Sequence, residues 1–110
     1  KYAGALPMWL MPEQVRVLPI SEKFLDKALK VDRELKAQGI RSTADSRNEK
    51  IGYKIREAQM EKIPYMLIIG EKEVQENVVS VRSRKDGVLG SMSLEAFLEK
   101  ALTEIREKTK

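Results

Sequence analysis

The sequence predicts an α/β domain with a mixed five-stranded sheet and three helices packed on it. The first three strands are expected to be parallel and the last two to form a C-terminal hairpin. Apolar stretches alternate with amphipathic helical patterns in the order strand, helix, strand, helix, strand over residues 15–69, which right-handed crossovers convert into a parallel sheet. Residues 65–69 are nearly all apolar, as is typical of a central strand covered on both faces. After residue 70 the pattern changes to two strands around a glycine turn and a final helix.

The first strand is predicted at residues 15–20 and the first helix directly after it. Ser21 suits the N-cap of that helix, and Gly39 stands where a left-handed C-terminal cap is expected. One stripe of the helix is apolar at helical spacing: Phe24, Ala28, Val31 and Leu35.

The second strand is predicted at residues 40–45, where small residues alternate as at a sheet edge. Ser46 and Glu49 have the spacing of a capping box, so the second helix is expected to begin at Ser46. It should end near residue 63, because Pro64 cannot continue it. Its apolar side is predicted to consist of Ile51, Ile55, Ala58, Met60 and Ile63.

In the second half, residues 71–73 are predicted to form a charged turn between the third and fourth strands. The fourth strand, residues 78–84, alternates so that Ser80, Arg82 and Arg84 share one face. A turn over residues 85–87 then leads into a fifth strand over residues 88–92. Ser93 should cap the last helix, whose apolar positions are Leu94, Phe97, Leu98, Ala101, Leu102 and Ile105.

Composition limits both architecture and chemistry. The 110 residues suffice for one domain, predicted at residues 15–110, with residues 1–14 as a lead-in from a neighbouring domain of a larger protein. There is no cysteine and no histidine, which excludes zinc fingers and Ser-His-Asp triads, and no metal or catalytic residue is expected. No apolar run is long enough to cross a bilayer. The net charge of +4 permits nucleic-acid binding without requiring it.

A parallel sheet is expected to bind its ligand at the carboxyl ends of its strands. Residues 46–50 and 71–73 follow the second and third strands and should therefore lie on the same rim, although they are far apart in sequence. Arg47, Lys50 and Lys54 add positive charge there, and Asn48 offers both a donor and an acceptor. An ordinary solvated helix face is the alternative for these charges. Internal ion pairs with Glu71 or Glu73 are the alternative for Arg82 and Arg84.

The residues alone therefore predict a basic, amide-bearing rim that binds RNA or another anion. No phosphate-binding glycine loop is present. Aromatic residues make up only 5% of the chain, so a base-stacking platform is not supported.

Two long segments resemble a known family. RNEKIGYKIREAQMEKIPYMLIIGEKEV and SVRSRKDGVLGSMSLEAFLEK are similar to the C-terminal anticodon-binding domain of bacterial threonyl-tRNA synthetases. WLMPEQVRVLPIS resembles the strand that begins that domain, and YAGALPMWL its junction with the catalytic domain. The resemblance covers essentially the whole chain.

This resemblance implies a parent enzyme that joins threonine to its tRNA with ATP, and a domain that grips the tRNA(Thr) anticodon loop without catalysing. It implies that the second and third anticodon bases, G and U, are read by Asn48, Arg56, Glu73 and Arg82. It implies contacts to the tRNA backbone, or support of the site, from Arg47, Lys50, Lys54, Lys62 and Arg84.

The same resemblance extends to the surroundings of the domain. ATP, magnesium and zinc are expected in the catalytic domain and no cofactor in this fragment. The other expectations are a cytoplasmic, non-membrane protein, a homodimeric parent and a monomeric fragment. Two alternatives remain: a protein-interaction or regulatory module that reuses the fold without tRNA, and a flavodoxin-like small-ligand domain.

Overall fold

A computed structural model of the chain describes residues 13–47, 49–84 and 87–106. Residues 1–12 of the predicted lead-in, Asn48, two residues of the predicted turn (Lys85 and Asp86) and residues 107–110 lie outside this range. No helix in the described ranges is long and apolar enough to cross a membrane. The elements are β1 (Val15–Pro19), a 3₁₀ turn (Glu22–Phe24), α1 (Leu25–Ala37), β2 (Ser42–Ala44), α2 (Ile51–Met60), β3 (Tyr65–Ile69), α3 (Glu71–Glu76), β4 (Val79–Ser83), β5 (Gly87–Met92) and α4 (Leu94–Arg106).

The five strands form one mixed sheet in the order β2-β1-β3-β4-β5. β1 pairs in parallel with β2 and β3, whereas β4 is antiparallel to both β3 and β5. The predicted parallel first half, the edge position of the second strand and the C-terminal hairpin are confirmed. The carboxyl ends of β2, β1 and β3 consequently lie on one rim of the sheet, in that order.

Helices cover the two faces of the sheet unequally. α1 and α4 cover one face over the larger core cluster, which contains Val17, Leu35, Leu67, Val81 and Phe97. The rings of Phe97 and Tyr65 meet edge to face there, with centroids 5.3 Å apart. On the other face, α2 packs over β1 and β3 through a smaller cluster of Leu18, Ala58, Ile63 and Met66. The part of this second face formed by β4 and β5 therefore lies beside α2 and not beneath it.

Helix caps follow the sequence in some places and depart from it in others. Gly39 has a φ of 83° after α1, as predicted, and the Ser93 Oγ accepts the Ala96 N–H at 3.2 Å at the start of α4. Ser21 makes no side-chain cap bond to the 3₁₀ turn. After α2, Lys62 takes the left-handed position with a φ of 59°, while the N–H groups of Lys62 and Ile63 bond back to Gln59 and Ala58. This is the Schellman arrangement with lysine where glycine is usual.

The predicted start of α2 at Ser46 is wrong. The helix begins at Ile51, and Lys50 is its extended N-cap residue, with a ψ of 146° and no side-chain cap bond. The Asp45 carboxylate explains the delay, because it accepts the backbone N–H of Arg47 at 3.2 Å and so stabilises a turn that competes with helix. The predicted end near residue 63 and the predicted packing of Met60 are also wrong: α2 ends at Met60, whose side chain is 74% exposed.

The predicted charged turn at residues 71–73 is instead the first half of α3, so the described residues contain four α-helices where three were predicted. Glu73 is the third residue of α3, and its carboxylate accepts the N–H of the N-cap residue Gly70. Asn77 ends the helix in the left-handed conformation, with a φ of 54°. Both residues are helix-end signals, but six residues are too few to show a periodic apolar face.

Candidate functional site

A cleft lies at the carboxyl ends of β1 and β2, where the topology predicts a ligand. Its volume is about 240 Å³. Lys50 is exposed in it, at the N-terminal and electropositive end of α2. The lining residues are Pro19, Ile20, Ser21, Glu22, Leu25, Ser46, Arg47, Glu49, Lys50 and Lys54.

Arg47 is held by two carboxylates and is not a freely mobile cation. Its Nε and Nη2 donate to Asp45 at 2.9 and 2.7 Å, and Nη2 also donates to Glu57 on α2. Its guanidinium lies 5.8 Å from the ring centroid of Tyr53, whose hydroxyl donates to Glu57 at 3.1 Å. The hydrogen bonds from Arg47 lower the pKa of Asp45 and of Glu57. Arg47 thus ties the segment before α2 to the helix itself.

Lys54 lies beneath this segment. It is only 2% exposed, and its ammonium donates to the backbone carbonyls of Pro19 at 3.3 Å and Asp45 at 3.2 Å. The ammonium therefore links the end of β1 to the end of β2. Of the two roles predicted for Lys54, phosphate contact and support of the site, this geometry favours support.

A groove runs along the sheet between α2 and the β4–β5 hairpin. Ser80 and Arg82 stand opposite Ile68 and Met66 of β3, so they share the sheet face on which α2 packs, and both are partly exposed. At the Arg82 end the groove opens into a cavity of about 310 Å³ lined by Gln59, Ile63, Met66, Arg82, Ser83, Arg84 and Gly87.

Arg56 lies on α2 close to Gln59, which lines this cavity. It is exposed on α2, three positions before Gln59, and residues at this spacing are neighbours on one helix face. The cavity-lining position of Gln59 therefore places Arg56 on the side of α2 that faces β4. Arg82 forms no ion pair with Glu71 or Glu73, and the alternative that proposed such a pair is not supported for Arg82.

Glu73 lies in α3, just beyond the carboxyl end of β3. Its side chain is buried, and its Oε1 accepts the Gly70 N–H at 2.7 Å. Arg82 is level with Met66, three residues before the end of β3, which corresponds to about 10 Å along the strand. Glu73 and Arg82 are thus separated along the direction of β3 and are not in contact.

Lys62 and Arg84 lie together at the turn between α2 and β3. The Arg84 Nη1 donates to the Lys62 carbonyl at 2.7 Å, and the Arg84 backbone N–H donates to Pro64 at 2.9 Å. Arg84 therefore fastens this turn, while the Lys62 side chain is exposed beside it.

The sequence pattern did not single out several residues that shape this surface. Asp45 is a buried carboxylate that organises Arg47, yet in sequence it resembles any polar residue after a strand. Gln59 and Ser80 line the groove only because the hairpin places β4 beside α2. Gly70 is the residue whose role the sequence could have indicated, since a glycine at the junction of a buried strand and a helix indicates close packing.

Comparison with known proteins bears directly on this surface. A family described as "Anticodon binding domain" matches residues 14–104. The chain belongs to this family.

Individual relatives of this anticodon binding domain are close in sequence. It is 63% identical over 107 residues to the threonine–tRNA ligase of Caldanaerobacter subterraneus subsp. tengcongensis, covering 97% of this chain and 17% of that protein. It is 57% identical over 107 residues to the threonine–tRNA ligase of Acetivibrio thermocellus, with the same two coverages of 97% and 17%. The chain thus spans about a sixth of the length of these relatives.

Solved structures agree with the fold. The RNA binding domain of threonyl-tRNA synthetase from Cryptosporidium parvum Iowa II superposes with a TM-score of 0.88 at 36% identity, covering 94% of this chain and 26% of that chain. A prolyl-tRNA synthetase from Cryptosporidium parvum superposes with a TM-score of 0.82 at 22% identity, covering 94% and 22%. The second likeness concerns the fold alone. The first confirms both the predicted α/β architecture and the predicted resemblance.

Proposed function

We propose that this anticodon binding domain is the tRNA-reading part of a threonine–tRNA ligase and that it binds the anticodon loop of tRNA(Thr) without catalysing. The observation that carries the proposal is the 63% identity to a threonine–tRNA ligase over nearly the whole chain. A regulatory module that had lost tRNA binding has no comparable observation in its favour.

The groove between α2 and the hairpin suits single-stranded RNA chemically. Bases in a loop are unstacked and offer their pairing edges. Arg56 and Arg82 supply donors along the groove, and Glu73 supplies an acceptor just beyond the carboxyl end of β3. A strand of RNA laid along it would meet donors and an acceptor at different bases, which is the arrangement that sequence reading requires.

We assign base reading to Asn48, Arg56, Glu73 and Arg82, with the second and third anticodon bases, G and U, as their targets. Arg56 and Arg82 are supported by their exposure beside the groove and Glu73 by its position at the rim. The assignment of Asn48 rests on the sequence resemblance alone, because this residue lies outside the described residues.

The five remaining basic residues divide into two groups. Lys50 and Lys62 are exposed and are proposed to contact RNA phosphates. The other three are proposed to hold the backbone that presents the reading residues, since their side chains already donate to protein groups: Arg47, Lys54 and Arg84.

The proposal places threonine activation in a catalytic domain that this chain does not contain. By the resemblance to threonine–tRNA ligases, ATP, magnesium and zinc would bind there. We further propose a cytoplasmic, homodimeric parent whose dimer contacts lie outside this domain, and a monomeric fragment.

The proposal is tested by titrating this chain with RNA hairpins that carry either the tRNA(Thr) anticodon loop or loops changed at the second or third anticodon base. The wild-type chain should prefer the unchanged loop by about 5- to 100-fold, because each mispaired base costs about 1–3 kcal/mol. Arg82→Gln should reduce this preference. Arg33→Gln is the matched control, since Arg33 is exposed on α1, on the opposite face of the sheet. Equal binding of all loops by the wild-type chain would refute the proposal.

A further inference from the structure

Gly70, which joins β3 to α3, has little room around it for a side chain. Its φ of −128° and ψ of −165° are extended values that any residue can adopt. A Cβ at this position would lie 2.4 Å from Ile20 Cδ1 and 3.0 Å from Glu73 Oε1. The first distance is well below any normal contact, and at the second distance the carboxylate would have to shift by a few tenths of an ångström.

The carboxylate beside Gly70 is fixed by that residue. Glu73 is 8% exposed, and Oε1 accepts the Gly70 N–H at 2.7 Å. An ionised carboxylate has about four acceptor sites in all, so this bond fixes the orientation of the group and leaves further sites for a ligand. Because residue 70 has no side chain, no Cβ crowds the carboxylate from this side.

Ile20 closes the other side of this space. It is the residue after β1, it bonds through its N–H to the Ile69 carbonyl at 2.9 Å, and its side chain lies over Gly70. Any Cβ at residue 70 would therefore be caught between Ile20 and Glu73. Of the two neighbours, Ile20 is 43% exposed and can turn outward, whereas a shift of Glu73 would distort its bond to the Gly70 N–H.

We propose that Gly70 is a positioning residue for base reading: the space left by its missing side chain holds the Glu73 carboxylate in the orientation that accepts from an anticodon base. This deepens the proposed function and rests on it. It assigns to Gly70 a part in specificity that neither its backbone conformation nor the resemblance supplies.

The test compares the chain with Gly70→Ala in binding hairpins changed at single anticodon bases. Glu73→Gln first identifies the base that Glu73 reads, as the position at which that variant loses discrimination. Gly70→Ala should lose discrimination at the same base by about fivefold or more while keeping it at the other base. Arg33→Gln is the control, because Arg33 is exposed on α1 on the opposite face of the sheet, and it should discriminate like the wild-type chain.

The variant Gly70→Ala/Ile20→Val separates positioning from folding. Ile20→Val removes the Cδ1 atom that a Cβ would strike, so the double variant should recover the thermal stability lost in Gly70→Ala. It should still lack discrimination, and its residue-70 amide should exchange with solvent faster than in the wild-type chain. Recovery of discrimination together with stability would overturn the inference, as would wild-type discrimination by Gly70→Ala. Full discrimination by Glu73→Gln would instead refute the proposed reading role of Glu73.

Discussion

Replacing Lys54 by methionine tests whether this residue supports the site from within or contacts RNA. Methionine keeps an unbranched side chain of similar length in the buried position, so little cavity is created. The change removes the ammonium that donates to the Pro19 and Asp45 carbonyls. Both carbonyls then lose a buried donor at the point where β1 and β2 end.

The expected loss of stability follows from these two bonds. A buried acceptor left without its donor costs about 1–3 kcal/mol. Distances of 3.3 and 3.2 Å are long for such bonds, and the variant also avoids the cost of burying an ammonium. We therefore expect the lower end for each carbonyl, about 2 kcal/mol in total. With an unfolding entropy of about 2.1 cal/mol/K per residue, this lowers the Tm by about 9 °C.

Calorimetry and RNA titration together decide the role of Lys54. A phosphate contact would contribute about 0.7 to the slope of log affinity against log salt for single-stranded RNA. Lys54→Met should lower the Tm and leave that slope unchanged. Lys50 lies four residues earlier and is exposed, so Lys50→Met should leave the Tm unchanged and make the slope shallower. An unchanged Tm with a shallower slope in Lys54→Met would refute the internal role.

Two further predictions concern stability. Because Arg47 lowers the pKa of Asp45 and Glu57, their contribution is complete above the ordinary carboxyl values and is lost as the pH falls through the lowered ones. As the pH falls from about 5 to 2, the free energy of unfolding of Arg47→Gln should therefore decrease less than that of the wild-type chain. Urea titrations at several pH values measure this, and an equal decrease in the two proteins would contradict the prediction. Gly39→Ala should destabilise by about 1 kcal/mol, whereas Lys62→Gly should stabilise by about 0.5–1 kcal/mol, since both positions are left-handed. Urea unfolding measures both changes. If Lys62→Gly also destabilised the chain, the contacts of the Lys62 side chain would outweigh its backbone strain.

Much of the fold could be predicted from the sequence, because periodicity reports which faces are buried. The third strand, apolar on both sides, occupies the third and central place in the sheet. The apolar stripe of the last helix packs as expected, with Phe97 and Ala101 fully buried. The predictions that failed concern the ends of helices, because the hydrogen bonds of one side chain can determine where a helix begins. An Asp45–Arg47 turn delayed α2, and a single Glu73–Gly70 bond helped to start α3.

The candidate site was less predictable, since a charged residue has the same appearance in sequence whether it is exposed or buried. Arg47, Lys50 and Lys54 looked alike as cations near a helix start. In the structure one is held by two carboxylates, one is exposed, and one is buried against carbonyls. These differences depend on partners that come from other elements.

The sequence by itself determined the α/β class, the parallel direction of the first three strands, the rim that carries residues 46–50 and 71–73, and the resemblance to an anticodon-binding domain. Those properties follow from local periodicity and residue identity. Only the tertiary structure decided that Arg82 lies level with Met66 and away from Glu73, and that a side chain at residue 70 would press on Ile20 and Glu73. Strand register and the packing of Ile20 over residue 70 set these distances, and neither is encoded in any single stretch of chain.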